Sequence, residues 1–184
     1  MSLLETLLDA NGGAVVREMA RDLGLEEEQA KSGLEQLVPA LARGIQHNTS
    51  NPGGLESLLG ALKSGGHQRY VDHPEELSKR DAVVDGNAIL GHILGSKEVS
   101  RNVAGRAAHE TGLDSGLLQK MLPMVAAAAM GSLGRQASAG GALDALTGSS
   151  QNSSGIAGVL ESFLDADRDG AVIDDVLGLA KKFF

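Results

Sequence analysis

The densest chemistry in the chain lies near its end, in the run D-A-D-R-D-G-A-V-I-D-D from Asp165 to Asp175. Carboxylates at alternating positions ahead of a glycine suit a hard divalent cation. Ca²⁺ takes several oxygen ligands and needs a sharp turn, a backbone carbonyl and a closing carboxylate. Asp165, Asp167 and Asp169 supply the first three ligands, Gly170 the turn and Ala171 the carbonyl, with apolar Val172 next. The usual closing glutamate is absent, because Val176 stands in its place. Closure therefore falls to Asp174 or Asp175 in a shortened loop. The flanking stretches, IAGVLESFL (156–164) and DDVLGLAKKFF (174–184), read as amphipathic helices, so Ca²⁺ would tie them into one hairpin. A plainer alternative is an acidic loop capping the last helix, with Asp174 and Asp175 at its positive end. That alternative leaves the mutual repulsion of Asp165, Asp167 and Asp169 without a purpose.

This run resembles the EF-hand loops and their shorter-loop relatives in bacterial proteins, over about a dozen residues. A single loop without a partner loop suits structural use better than calcium sensing.

A second pattern, ARDLGLEEEQAKSGL (Ala20–Leu34), follows the spacing of a helix-turn-helix, with Gly24 at the turn and Ala30 and Leu34 as apolar anchors. A DNA reader places the start of its second helix in the major groove. Here that start is Glu26-Glu27-Glu28, so the tract reads as a packing unit, and DNA binding is the alternative function. It would have to rest on Arg17, Arg21, Arg101 and Arg106, residues scattered as on an ordinary solvated face. The five histidines, His47, His67, His73, His92 and His109, do not pair at the usual zinc spacings, and surface or capping roles are expected of them. Neither a phosphate-cradling glycine loop nor a nucleophile elbow occurs, so no catalytic or cofactor-binding residues are assigned. An enzyme whose catalytic groups lie far apart in sequence stays a third possibility.

Composition narrows the classes further. The 184 residues contain no Cys, which removes disulfides, thiolate metal sites and Cys nucleophiles. One Tyr, three Phe and no Trp leave little for stacking on bases, and a net charge of −8 opposes phosphate backbones. The most apolar stretch, Met121–Leu133, is short for a membrane span, and the start of the chain lacks the pattern of a signal peptide, so a cytoplasmic location is expected. Five of the seven acids in residues 137–184 belong to the Asp run, which concentrates the negative charge there.

The elements that must position these groups read as helices throughout. Apolar residues recur at helical spacing, as in Val38, Leu41, Ala42 and Ile45, and no alternating strand pattern occurs. The expectation is an all-α fold of about ten helices near the roughly 11-residue average. Glycine-containing stretches at 12–13, 52–54, 65–66 and 85–86 mark breaks, and Pro74 marks a helix start. The chain also repeats: Ala20-Arg-Asp-Leu-Gly-Leu25 lies over Ala108-His-Glu-Thr-Gly-Leu113, and each stretch runs into a leucine-rich helix carrying Pro39 or Pro123. Aligning those prolines instead needs a shift of about one helical turn. The expected organisation is a helical domain over 1–133, with related halves at 13–64 and 86–148, a Ser/Gly-rich linker at 134–154 and the calcium-loop hairpin at 155–184.

The segment GNAILGHILGSKEVSRNVAGRAAHETGLDSGLLQKMLPMVAAAAMGSL (86–133) resembles a bacterial family of unknown function, domain of unknown function 937, related to the YidB-like proteins. Its opening GNAILGHILG, the TGLD and the LLQKMLPMV run carry the likeness, which spans residues 1–136. The resemblance implies an all-α fold with helix-turn-helix or homeodomain-like packing and supplies no activity. The expected function is that of a non-enzymatic interaction or scaffold protein, with a protein partner or self-association, and with Ca²⁺ at its C-terminal loop.

Overall fold

Ser2 opens the first helix with a reciprocal cap: its hydroxyl accepts the Glu5 N–H at 3.2 Å, and the Glu5 carboxylate accepts the Ser2 N–H at 2.9 Å. The computed structural model describes residues 2–50, 53–64 and 66–139. Over these residues the chain is all helical. The elements are α1 (Leu3–Asp9), α2 (Ala14–Leu23), α3 (Glu27–Thr49), α4 (Gly54–Ser64), α5 (Arg69–Asp72), a 3₁₀ turn (Pro74–Glu76), α6 (Arg80–Leu94), α7 (Lys97–Thr111) and α8 (Ser115–Ala139).

Glycine at a left-handed position makes both tight corners. Gly24, at φ +66°, lets the Leu25 N–H reach back to the Ala20 carbonyl at 2.8 Å and turns α2 into α3. Gly112, at φ +73°, donates to the Ala108 carbonyl at 2.9 Å and turns α7 into α8. A Cβ at either site would cost about 1–2 kcal/mol by local sterics alone.

Several elements differ from expectation. Helices α3 and α8 run 23 and 25 residues, well beyond the average, and enclose Pro39 and Pro123. Burial on several sides outweighs the lost N–H in each helix. Pro74 begins one 3₁₀ turn instead of a longer helix. Gly86 does not break the chain but lies inside α6, so the boundary expected at residue 86 falls within a helix. Its role is steric: a Cβ there would drive into the Pro123 carbonyl group, so the α6 and α8 backbones meet with no side chain between them. The stretch expected as a linker from residue 134 begins as the last turns of α8.

Helix α8 is the axis of the fold, touched by every other helix named here. Over Ser115–Gln136 it is long and apolar enough to cross a membrane by composition, more than the Met121–Leu133 count suggested, yet most of that stretch is buried against its neighbours. That burial is what a core helix requires. The core is built from aliphatic contacts, with Leu34, Leu37, Leu41, Leu118 and Met121 fully buried and Tyr70 as its aromatic member.

The buried faces repeat with a single register. Gly112 lies 88 residues after Gly24. Each of the eight residues buried in α3, from Ala30 to Ile45, has a buried counterpart 88 residues later in α8, from Leu118 to Leu133. This is the register of the glycine corners and not that of the prolines. Contacts follow the same exchange: α3 packs on α7 while α8 packs on α2, and α1 and α6 each touch both long helices.

Candidate functional site

Two constellations outside the aliphatic core bring polar groups together. The first lies at the corner of α5 and α6. Burial of the phenol ring carries the Tyr70 hydroxyl inside, where it donates to Asp85 Oδ2 at 2.5 Å and accepts from Arg69 Nη2 at 2.7 Å. Arg69 also reaches Asp85 Oδ2 at 3.2 Å. Burial pushes the Tyr70 hydroxyl above its ordinary pKa, and the bond to Asp85 acts in the same direction. His67 stacks near the Tyr70 ring, with centroids 6.1 Å apart. Its Nδ1 is buried, stands 3.9 Å from Asp85 Oδ2 and has no hydrogen-bond partner among the described residues. Loss of water around the imidazole lowers its pKa, against the opposing pull of Asp85. His67 is thus an internal residue, not the surface or capping histidine that its neighbours in sequence suggested. Its burial follows from the backbone, since the His67 carbonyl lies against Gly131 of α8. The hydroxyl, carboxylate and guanidinium satisfy one another, which makes this cluster a structural clasp between α5 and α6.

The second constellation is an open groove of about 770 Å³ between α3 on one side and the end of α6 with α7 on the other. Helical spacing sets Ala40, Gly44 and His47 of α3 on one wall and Val99, Val103 and Arg106 of α7 on the facing wall, with Leu94 of α6 also in the lining. Val99 is exposed at 41%, among the most exposed large apolar side chains described. Arg43 and Arg106 both line the groove and make no ion pair among the described residues; Arg43 Nε donates only to the Pro39 carbonyl, at 3.2 Å. Glu110 stands at the same rim. The lining thus combines apolar side chains with two arginines, a histidine, Gln36 and Glu110, on a chain of net charge −8.

The residues expected to hold Ca²⁺, Asp165, Asp167, Asp169, Ala171, Asp174 and Asp175, lie outside the described residues. Within the described residues, no three His, Asp or Glu side chains converge as a metal site. Of the arginines weighed for DNA contact, three are engaged locally: Arg17 with the Gly12 carbonyl, Arg21 with Glu18 and Arg101 with Glu98. At the α2–α3 corner Glu27 and Glu28 occupy the first turn of α3, where they complement its positive end.

Sequence reasoning missed both constellations. Tyr70 and Asp85 are separated by fifteen residues and a 3₁₀ turn, and no motif links them. Arg106 stood out only as a helix-face cation, and Arg43 not at all. The one available signal was positional: Arg43 and His47 are one turn apart beside the buried stripe of α3, so both had to project at its edge.

The described residues form an all-helical fold with an open groove between α3 and α7. A family model for "Bacterial protein of unknown function (DUF937)" matches residues 5–136, and the chain belongs to that family. No curated protein and no solved structure matches the chain.

Proposed function

We propose that this is a non-enzymatic interaction protein whose groove between α3 and α7 docks a protein segment that is helical, apolar on one face and acidic on the other. One observation carries the reading: apolar side chains lie beside two arginines that make no ion pair among the described residues, in a chain of net charge −8. Desolvated arginines without carboxylates are costly in a closed interface, so the occupant must bring acids to them. The test is anisotropy titration of a fluorescein-labelled synthetic helix with a Leu/Phe face and Glu/Asp flanks. Saturable binding that is lost in Arg43→Glu/Arg106→Glu supports the reading; equal binding by that double variant overturns it.

Alongside the groove we propose a Ca²⁺-binding loop at Asp165–Asp175, supported by the ligand spacing. The expected outcome of calorimetry is one Ca²⁺-dependent heat that disappears in Asp167→Ala. No heat from the parent chain would remove the proposal. The likeness to the YidB-like proteins is extended to this chain on the same footing and brings no activity with it.

A further inference from the structure

We infer that the groove is occupied by this chain's own segment 156–164, the pseudosymmetric counterpart of the α5 region. The inference rests on the reading of the groove as a docking site and names its occupant. It starts from the 88-residue register that relates α2–α3 to α7–α8. Under that exchange the groove residues Val99, Arg43 and His47 correspond to Asn11, Gly131 and Arg135. Those three counterparts mark a groove that is filled. Asn11 Nδ2 donates to the Asp72 carbonyl at 3.4 Å, Gly131 lies against Val71 and the His67 backbone, and Arg135 pairs with the Asp72 carboxylate at 3.2 Å. The stretch from His67 to Leu77 therefore covers between α2 and α8 what lies open between α3 and α7, burying Tyr70, Val71, Pro74 and Leu77 as it does so.

The same register places the missing filler. Residues 67–77 advance by 88 to residues 155–165, GIAGVLESFLD. This stretch has what the open groove asks of a ligand. Ile156, Val159, Leu160, Phe163 and Leu164 form the apolar set, and Glu161 brings an acid toward Arg43 and Arg106, which make no ion pair among the described residues. The correspondence is one of place and not of residues: the buried Tyr70, Val71, Pro74 and Leu77 fall on Gly158, Val159, Ser162 and Asp165, and Asp72, the partner of Arg135, falls on Leu160. Reach is sufficient: the residues between Ala139 and Ile156 span up to about 55 Å when extended, against a breadth of roughly 35–40 Å for a domain of this size. The two grooves differ in depth. Arg43 stands where α8 has Gly131, so the second filler sits higher on its helix and meets a guanidinium where the first meets backbone.

Because the chain has no cysteine, engineered pairs report this contact cleanly in the full-length protein. Under mild oxidation Ala40→Cys/Leu160→Cys is expected to form an intramolecular disulfide faster than the control pair Arg80→Cys/Leu160→Cys, at a rate independent of protein concentration. Equal rates for the two pairs overturn the inference, and so does a disulfide that forms only between molecules. Phe163→Trp adds a single tryptophan whose emission is expected to shift to the red when Arg43→Glu/Arg106→Glu is introduced; unchanged emission overturns the docking. The labelled acidic helix separates the two readings. With the groove self-occupied, Leu160→Asp is expected to raise its apparent affinity by about tenfold, since a competing segment lowers affinity by the fraction of sites left free. Saturable binding that Leu160→Asp does not change keeps the groove and removes the self-occupancy. Absence of binding in both proteins removes both.

Discussion

Adding one methyl group to α6 at two positions should move stability in opposite directions. Gly86 and Gly91 lie in the same helix, five residues apart, yet a Cβ at Gly91 meets nothing within 4 Å. At an open helical site Gly→Ala stabilises by up to about 1 kcal/mol, because alanine loses less backbone freedom on folding. At Gly86 the new methyl would meet the Pro123 carbonyl carbon at 2.6 Å and its Cα at 2.8 Å. Both belong to backbone, which cannot swing aside as a side chain tip would. Overpacking of this kind costs about 1–3 kcal/mol, and separation of α6 from α8 would loosen further contacts along the seam. Gly86→Ala is therefore expected to lose roughly 1–2 kcal/mol net, which places the two variants about 2–3 kcal/mol apart. At about 2–4 °C per kcal/mol that difference corresponds to roughly 4–12 °C in Tm. Thermal and urea unfolding followed by circular dichroism at 222 nm would read it. If Gly86→Ala stabilises as much as Gly91→Ala, the close α6–α8 seam is refuted.

Tyr70→Phe keeps the ring but removes the hydroxyl from Asp85 and Arg69, and should cost about 1.5–3 kcal/mol in urea unfolding, the range for a hydrogen bond to a charged group. Stability should also fall as pH drops below about 6.5, the ordinary value for His67. The folded imidazole has a lowered pKa, so the unfolded chain binds the proton first, and the loss continues until the folded group titrates. His67→Phe should flatten that part of the stability–pH curve. Arg135→Ala breaks an exposed pair with Asp72 and should change stability by no more than about 1 kcal/mol.

Local signals carried much of the fold. The i, i+3, i+4 spacing of Leu34, Leu37, Val38 and Leu41 marks a helix face wherever it packs, and Gly24 and Gly112 sit where only glycine makes the corner without strain. The two corners were legible because Ala20–Leu25 and Ala108–Leu113 carry glycine at the same spacing. Gly86 shows what local reading misses: beside Asp85 it resembles a turn, and only the approach of Pro123, 37 residues later, explains it inside a helix. Pro39 and Pro123 invited a different alignment because proline is conspicuous, whereas the register is set by which residues are buried. The groove was invisible for a similar reason. Arg43 and Val99 acquire meaning only when α3 and α7 lie side by side, and that arrangement is set by contacts distant in sequence.

The central place of α8 also sets a timetable for biosynthesis. Its residues cover α1, α2 and α3, and Gln136 lies within 3.5 Å of Thr6, so the N-terminal half finds its other wall only at the end of the domain. A ribosome adding about 5–20 residues per second needs roughly 5–18 s to pass from the end of α3 to the end of α8. Throughout that interval the leucines of α3 are made but lack their main cover. A nascent chain of this design should engage a holding chaperone until α8 emerges, and ribosome-bound chains stalled before Ser115 should remain open to proteases that spare the finished protein.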